Sequence, residues 1–175
     1  MRDIATLYQI WRETIAANEL SVSITEWADK HRWLPRNASA ASGQWQTAKT
    51  PYLRGIHDAL SVDSPTWKIV IKGANQVGKS EAANNMVCQR IDEFPGPILW
   101  VVPRDKDVLK YVRTRFDPMF AAVPRVSALI GRDESGEEAP DNAVMKRFPG
   151  GQLIIAGSTS PAVFRSDPVE IAVLD

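Results

Sequence analysis

The sequence predicts an α/β fold built on a parallel sheet, and three observations carry that prediction. Short apolar runs at 67–71 (WKIVI), 97–102 (PILWVV) and 170–174 (EIAVL) alternate with helical patterns. That is the order in which a parallel sheet is covered on both faces. The first run leads directly into Gly73-Ala74-Asn75-Gln76-Val77-Gly78-Lys79-Ser80, which fits G-x-x-x-x-G-K-[ST] at every fixed position and opens a helix. The last run ends on an acid, Asp175.

Each element follows from local pattern. Ile4, Leu7, Tyr8, Trp11 and Ile15 recur at helical spacing and predict an amphipathic helix over 3–20. A second short helix is expected over 23–32, with Thr25 as its cap, Trp27 and His31 on one face, and Pro35 as its stop. Residues 36–50 are rich in Ala, Ser, Gly and Thr and read as a loop. Residues 52–60 read as helix and 67–71 as a strand. A helix over 80–93 turns Ala82, Ala83, Met86, Val87 and Ile91 inward. A buried strand follows over 97–102. An amphipathic helix is expected over 105–116, extended over 117–122 after a break at Pro118. The stretch 131–142 is acidic and turn-rich, an exposed loop. Strands over 143–148 and 152–156 are joined by Pro149-Gly150-Gly151, a hairpin signal. The chain thus divides into a helical lead-in at 1–35, a loop at 36–50 and the α/β core at 51–175.

Composition bounds the function. At 175 residues, 44% hydrophobic and 24% charged, the chain has the profile of one globular domain. Lys and Arg number 21 against 21 Asp and Glu, so no bulk basic surface advertises nucleic-acid binding; any DNA contact would come from local patches or an oligomer. Cys88 is the only cysteine, which excludes an intrachain disulfide, and no Cys/His cluster has metal-ligand spacing. His31 and His57 are expected at surface or boundary positions. No apolar run approaches the roughly 18 residues of a membrane span, and the N-terminus lacks a signal-peptide pattern. A soluble chain in a reducing intracellular compartment is expected.

The spacing of the 73–80 motif has a mechanical reason. Its glycines let the backbone curl until successive N–H groups point at one anion. The helix it opens adds free donors and a partial positive charge. Lys79 supplies a point charge for β- and γ-phosphates, and Ser80 a hydroxyl for Mg²⁺. Together these form the phosphate loop (P-loop, Walker A) of an ATP-binding site. An apolar strand ending in Asp175, downstream of such a loop, reads as its Walker B partner, whose carboxylate holds the same Mg²⁺.

A wider set of residues resembles the large terminase subunit of lambda-type tailed phages. They are Arg32-Trp33-Leu34-Pro35, Gly43-Gln44-Trp45, Thr50-Pro51-Tyr52-Leu53, and Lys72-Gly73-Ala74 running into the motif. Pro97, Val102-Pro103, Arg115-Phe116-Asp117-Pro118-Met119 and Lys146-Arg147-Phe148-Pro149-Gly150-Gly151 continue it, and Gly157, Ser160-Pro161 and Val173-Leu174-Asp175 complete it. The resemblance covers about residues 30–175. It implies a P-loop sheet with an extra strand between the Walker A and Walker B strands. It also implies a motor ATPase that drives double-stranded DNA into a preformed capsid in the host cytoplasm. A small terminase subunit, the portal of the procapsid and further copies of the large subunit are the implied partners. Hydrolytic relatives place a Glu directly after the Walker B Asp and carry a nuclease region further on. Because the sequence ends on Asp175, this segment, cut off inside its Walker B strand, is expected to bind nucleotide better than it hydrolyses it.

The resemblance also suggests secondary site residues. Gln44, Trp45, Gln46 and Tyr52 lie where terminases hold adenine, and Trp45 or Tyr52 would stack on the base. Both also suit core packing. Arg165 matches an arginine placed near the nucleotide, where a planar fork suits a γ-phosphate; a solvated loop arginine is the plain alternative. Lys72 is a weaker phosphate candidate. The Tyr8–Trp11 stripe suits either the small subunit or this domain's own core. Two other readings stay open here, another P-loop translocase or kinase, and a non-enzymatic remnant that binds intact subunits.

Overall fold

In the computed structural model the described residues are 22–36, 42–133, 135–138, 142–159 and 168–175. The helix expected over 3–20, with Tyr8 and Trp11, lies outside them, as does Arg165. Helix α1 (Ile24–His31) begins one residue before the expected cap, because Ser23 and Glu26 form a reciprocal capping box. Ser23 therefore replaces Thr25 as the cap, and the S-x-x-E spacing was the readable signal. The helix ends at His31, before Pro35, and Trp27 and His31 do share a face, with ring centroids 5.7 Å apart.

The 36–50 stretch holds more structure than a loop. Strand β1 (Trp33–Leu34) pairs antiparallel with β2 (Gly43–Gln44), and 3-10 turns at Thr47–Lys49 and Pro51–Leu53 lead into α2 (Arg54–Leu60). Helix α3 (Lys79–Glu93) follows the glycine-rich loop and buries all five predicted apolar positions. It also buries Asn84, Asn85 and Gln89, which apolar periodicity could not flag.

The main sheet has the order β4-β5-β3-β6, from β3 (Pro97–Val102), β4 (Met145–Phe148), β5 (Gly151–Gly157) and β6 (Ile171–Leu174). β3 lies in its interior, parallel to both β5 and β6. The sheet is mixed rather than wholly parallel, because the 149–150 turn makes β4 antiparallel to β5. The expected strand at 67–71 is not formed. That segment has no regular secondary structure and no ladder partner among the described residues, and a strand exists only where a neighbour takes its N–H and C=O groups. Trp67 is 90% exposed and Val70 80%.

Between β3 and β4 the chain is helical from Val108 to Ala121: α4 (Val108–Tyr111), a π-helical turn (Val112–Phe116) and α5 (Asp117–Ala121). The break expected at Pro118 does not occur. The wider π turn lets a residue without an N–H follow in the first turn of α5 without ending the helix. A short α6 (Pro124–Ser127) completes this layer. One face of the sheet, through Ile98, Trp100, Val102, Leu153 and Ile155, joins α1, α3 and these helices in a single core. The opposite face carries a smaller cluster of Leu99, Val101, Ile154 and Ala156.

A chain of polar groups crosses that core and ties the N-terminal segment to α3. Arg32 is 2% exposed. Its guanidinium donates to Asn85 Oδ1 (3.2 Å), Trp33 O (2.7 Å) and Glu81 Oε2 (3.0 Å). Because Arg32 can only donate, Asn85 must turn its oxygen to it and its Nδ2 to His57 Nε2, 3.4 Å away. His57 Nε2 therefore accepts, and its proton sits on Nδ1, which donates to Thr25 Oγ1 at 3.0 Å. His57 is 1% exposed, so it is a core residue and not the boundary residue expected. Both ring nitrogens find partners, which makes the burial tolerable.

Two predictions follow from this network. Replacing Arg32 with Ala should cost about 3 kcal/mol in urea unfolding, because Glu81 and Asn85 lose their donor in a mostly buried site; a loss under about 1 kcal/mol would remove Arg32 from this role. Burial holds the His57 imidazole below its ordinary 6.5, against an upward pull from Asp58 and Asp29. With the folded pKa below the unfolded one, the unfolded chain takes the proton first. The His57 contribution is therefore complete above about pH 6.5 and declines as pH falls through the folded value. The urea midpoint should drop between about pH 7.5 and about pH 5, and drop less in His57→Gln; identical profiles would rule the residue out.

Candidate functional site

The candidate site forms where the 73–80 loop meets the end of β6. Local conformation shapes the loop. Gln76 and Gly78 both adopt left-handed backbone, with φ of 59° and 81°. A non-glycine residue there is uncommon, and alternating handedness turns successive N–H groups toward one concave side. Gly78 N-caps the 15-residue α3, and no side chain caps that end. The first-turn N–H groups of α3 thus remain available to an anion. A Cβ on Gly78 would also meet Leu53 Cδ1 at 3.2 Å, so the position is constrained in space as well as in φ.

Lys79, the first residue of α3, folds back over the loop. Its ammonium donates to Gly73 O (3.1 Å) and Ala74 O (2.5 Å). This holds the charge in the loop mouth and makes it available to a stronger acceptor. Ser80 Oγ donates to Asp175 Oδ1 at 2.6 Å, joining residues 95 apart in sequence. Asp175 arrives there through the sheet. β6 pairs with β3, with Leu174 opposite Val101, and Asp175 N donates to Val101 O at 3.0 Å. Its second oxygen, Oδ2, accepts from Tyr111 Oη at 2.6 Å. Burial, then the hydrogen bond and charge of Asp175, hold the Tyr111 phenol well above the ordinary tyrosine range, so it stays a donor.

Lys79, Ser80 and Asp175 line a cleft of about 660 Å³, together with Trp67, Ile71 and Leu174. β6 is an edge strand of the sheet, and Leu174 is 75% exposed. Arg90 of α3, also in the lining, pairs with Glu170 at 2.8 Å and ties the residue before β6 to the helix.

The residues read from sequence separate here. The loop residues, Lys79, Ser80 and Asp175 come together. Tyr52 stands beside the loop, 57% exposed, with its hydroxyl donating to Val77 O at 3.1 Å. Trp45 does not join them. It is 6% exposed, its Nε1 donates to Thr47 Oγ1 at 2.8 Å, and its ring faces His57 at 6.5 Å. The buried indole has no free face for a base, so the core reading of Trp45 replaces the stacking one. The Gln44 amide is taken by Asp29 O at 2.8 Å, and Gln46 and Lys72 are exposed. Tyr111 was missed. Its helical spacing pointed only to packing, and nothing in the sequence links it to a residue 64 positions away.

The donor set suits a small hard cation beside phosphates: one carboxylate and one hydroxyl in contact, with a lysine in the adjacent loop. Among the described residues no group of three or more His, Cys, Asp or Glu could hold a metal ion, so phosphate oxygens and water would complete such a shell. Cys88 offers no alternative chemistry, since burial pushes its thiol up to about 11. Among the same residues no helix is long and apolar enough to cross a membrane.

Replacing Gly78 with Ala should cost about 1–2 kcal/mol in urea unfolding, from the left-handed backbone alone. Gly55→Ala, in open space within α2, should be neutral or stabilising. Equal effects at the two positions would contradict the constraint on the loop.

Comparisons with known proteins converge on one family. The profile of the family described as "Phage terminase large subunit gpA, ATPase domain" matches residues 39–175. The terminase large subunit of Escherichia phage lambda is 28% identical over 152 residues, covering 86% of this chain and 23% of that protein. The terminase large subunit of Enterobacteria phage P21 is 24% identical over 156 residues, covering 88% of this chain and 24% of that protein. The chain therefore spans about a quarter of the length of the curated relatives it matches. No solved structure matches.

Proposed function

We propose that this chain, which belongs to the phage terminase large subunit gpA ATPase-domain family, binds Mg²⁺-ATP at the junction of the 73–80 loop and the end of β6. In the whole protein this site powers the movement of double-stranded DNA into a capsid. The observation that carries the reading is the 2.6 Å hydrogen bond between Ser80 and Asp175. It joins the last residue of the phosphate motif to the acid that ends an apolar strand, the two groups that ligate the metal in this class of site.

Each residue then has a task. Backbone N–H groups of Gly73 to Gly78 and of the first turn of α3 cradle the phosphates. Lys79 exchanges its two carbonyl acceptors for phosphate oxygens, a stronger partner because charge meets charge. Ser80 and Asp175 would hold Mg²⁺, which would supply positive charge to offset that of the phosphates. Tyr52, exposed beside Val77, is the remaining aromatic candidate for the base. Arg165 is proposed, from the family resemblance, to reach toward the γ-phosphate. The catalytic contribution of these residues is positioning and charge stabilisation more than covalent chemistry. The small subunit, the portal and sister copies of the large subunit are proposed as partners on the family relationship alone. With 21 basic and 21 acidic residues, this chain alone supplies no general attraction to DNA.

Calorimetric titration of Mg²⁺-ATP and ADP into wild type and Lys79→Ala tests the reading. The expected outcome is that the variant binds at least tenfold more weakly, about 1.4 kcal/mol. Equal affinities, or a folded wild-type chain that binds neither nucleotide, would refute it.

A further inference from the structure

We propose that Tyr111 is a positioning residue for Asp175: its phenol fixes one carboxylate oxygen so that the other is held toward Ser80 and the metal. The inference rests on the reading of Ser80 and Asp175 as the Mg²⁺ ligands.

The geometry divides the carboxylate between two donors. Oδ1 meets Ser80 and Oδ2 meets Tyr111, each at 2.6 Å. The sheet fixes only the backbone of Asp175, through its N–H to Val101 O. The carboxylate can still rotate about its own side-chain bonds, and a fixed donor on Oδ2 removes that freedom. A ligand held in orientation by an outer hydrogen bond binds its metal better, because less ordering remains to be done on binding.

The phenol is itself fixed. Its ring packs on Trp100 and Phe116, with centroids 6.2 and 5.6 Å away, and both of those side chains are fully buried. Phe116 in turn stacks on Phe120 at 5.6 Å and meets Trp100 edge-on at 5.1 Å. Trp100 lies opposite Val173 in the β3–β6 ladder, so the ring post and the acid share one strand pair.

The π-helical turn makes this arrangement possible. Tyr111 and Phe116 are five residues apart. In an unbroken α-helix, at about 100° per residue, they would point roughly 140° away from each other. The Val112–Phe116 turn, with its i→i+5 bonding, brings the two rings onto one side. A segment that served only to cover the sheet could do so as a regular helix. Here the irregular turn aims one hydroxyl at the acid.

The test is a Mg²⁺ titration of ATP binding in wild type, Tyr111→Phe, Asp175→Asn and the double variant, with ATP binding in EDTA alongside. Phe keeps the ring and removes only the hydroxyl. Tyr111→Phe should leave metal-free ATP affinity within about twofold of wild type and raise the Mg²⁺ concentration for half-effect about tenfold or more, the scale of one hydrogen bond to a charged group. In the Asp175→Asn background the same substitution should change nothing further. An unchanged Mg²⁺ requirement in Tyr111→Phe, with Asp175→Asn altered, overturns the proposal alone. Equal weakening with and without metal also overturns it, as it marks a purely structural role. If Asp175→Asn itself leaves the Mg²⁺ requirement unchanged, the metal-ligand reading of Asp175 fails, and the role of Tyr111 fails with it.

Discussion

Strand β3 imposes the constraint on which the rest of the structure depends. It is buried along nearly its whole length, so its backbone N–H and C=O groups must be satisfied by neighbouring strands on both sides. β5 takes one side and β6 the other, both parallel to it. The register with β6 sets Leu174 opposite Val101, the Asp175 N–H bonds to Val101 O, and the Asp175 side chain then reaches Ser80. A one-residue slip would turn the apolar residues of β6 to the opposite face and carry the carboxylate away from the loop. The geometry of the site is therefore a consequence of strand pairing that brings a residue 95 positions after Ser80 in sequence next to it in space.

The second support comes from the N-terminal side. The Arg32 network bonds the start of β1 to the first turns of α3, immediately after the phosphate motif. At the other end of α3, Asp92 accepts from Trp27 Nε1 at 2.8 Å and from Arg125 at 2.7 Å. Helix α3 is thus held at both ends by polar contacts and along its length by the core. A phosphate loop works by pointing backbone donors at a fixed place, so rigidity of the helix it opens matters more than the identity of the loop side chains. Buried polar bonds contribute direction here, whereas apolar burial supplies most of the stabilisation.

The candidate site combines a loop of defined backbone shape with side chains that bond to one another and to the loop. Lys79 rests on loop carbonyls, and Ser80 and Asp175 rest on each other. Each of these polar groups therefore has a partner within the protein, and the Lys79 charge is not left without an acceptor.

By itself the sequence determined the glycine-rich 73–80 motif and its place at the start of a helix, because its residues are contiguous and its spacing is set by local backbone geometry. It also determined helix α3 with its inward face, strand β3, the β4–β5 hairpin and the family, all written in short-range pattern. Only the tertiary structure decided the remainder. The segment at 67–71 has strand-like residues yet pairs with no strand among the described residues, because a ladder needs a neighbour and propensity cannot supply one. His57 reads in sequence as a surface or boundary residue, and Trp45 as a base-stacking candidate that also suits core packing; both are core residues, because Thr25, Asn85 and Thr47 meet their polar atoms. Tyr111 reads as one more packing aromatic until a π-helical turn and a parallel register bring it to Asp175. Short-range pattern fixes what a residue can do; which distant group it meets depends on strand order and register, and those are settled only when the whole core packs.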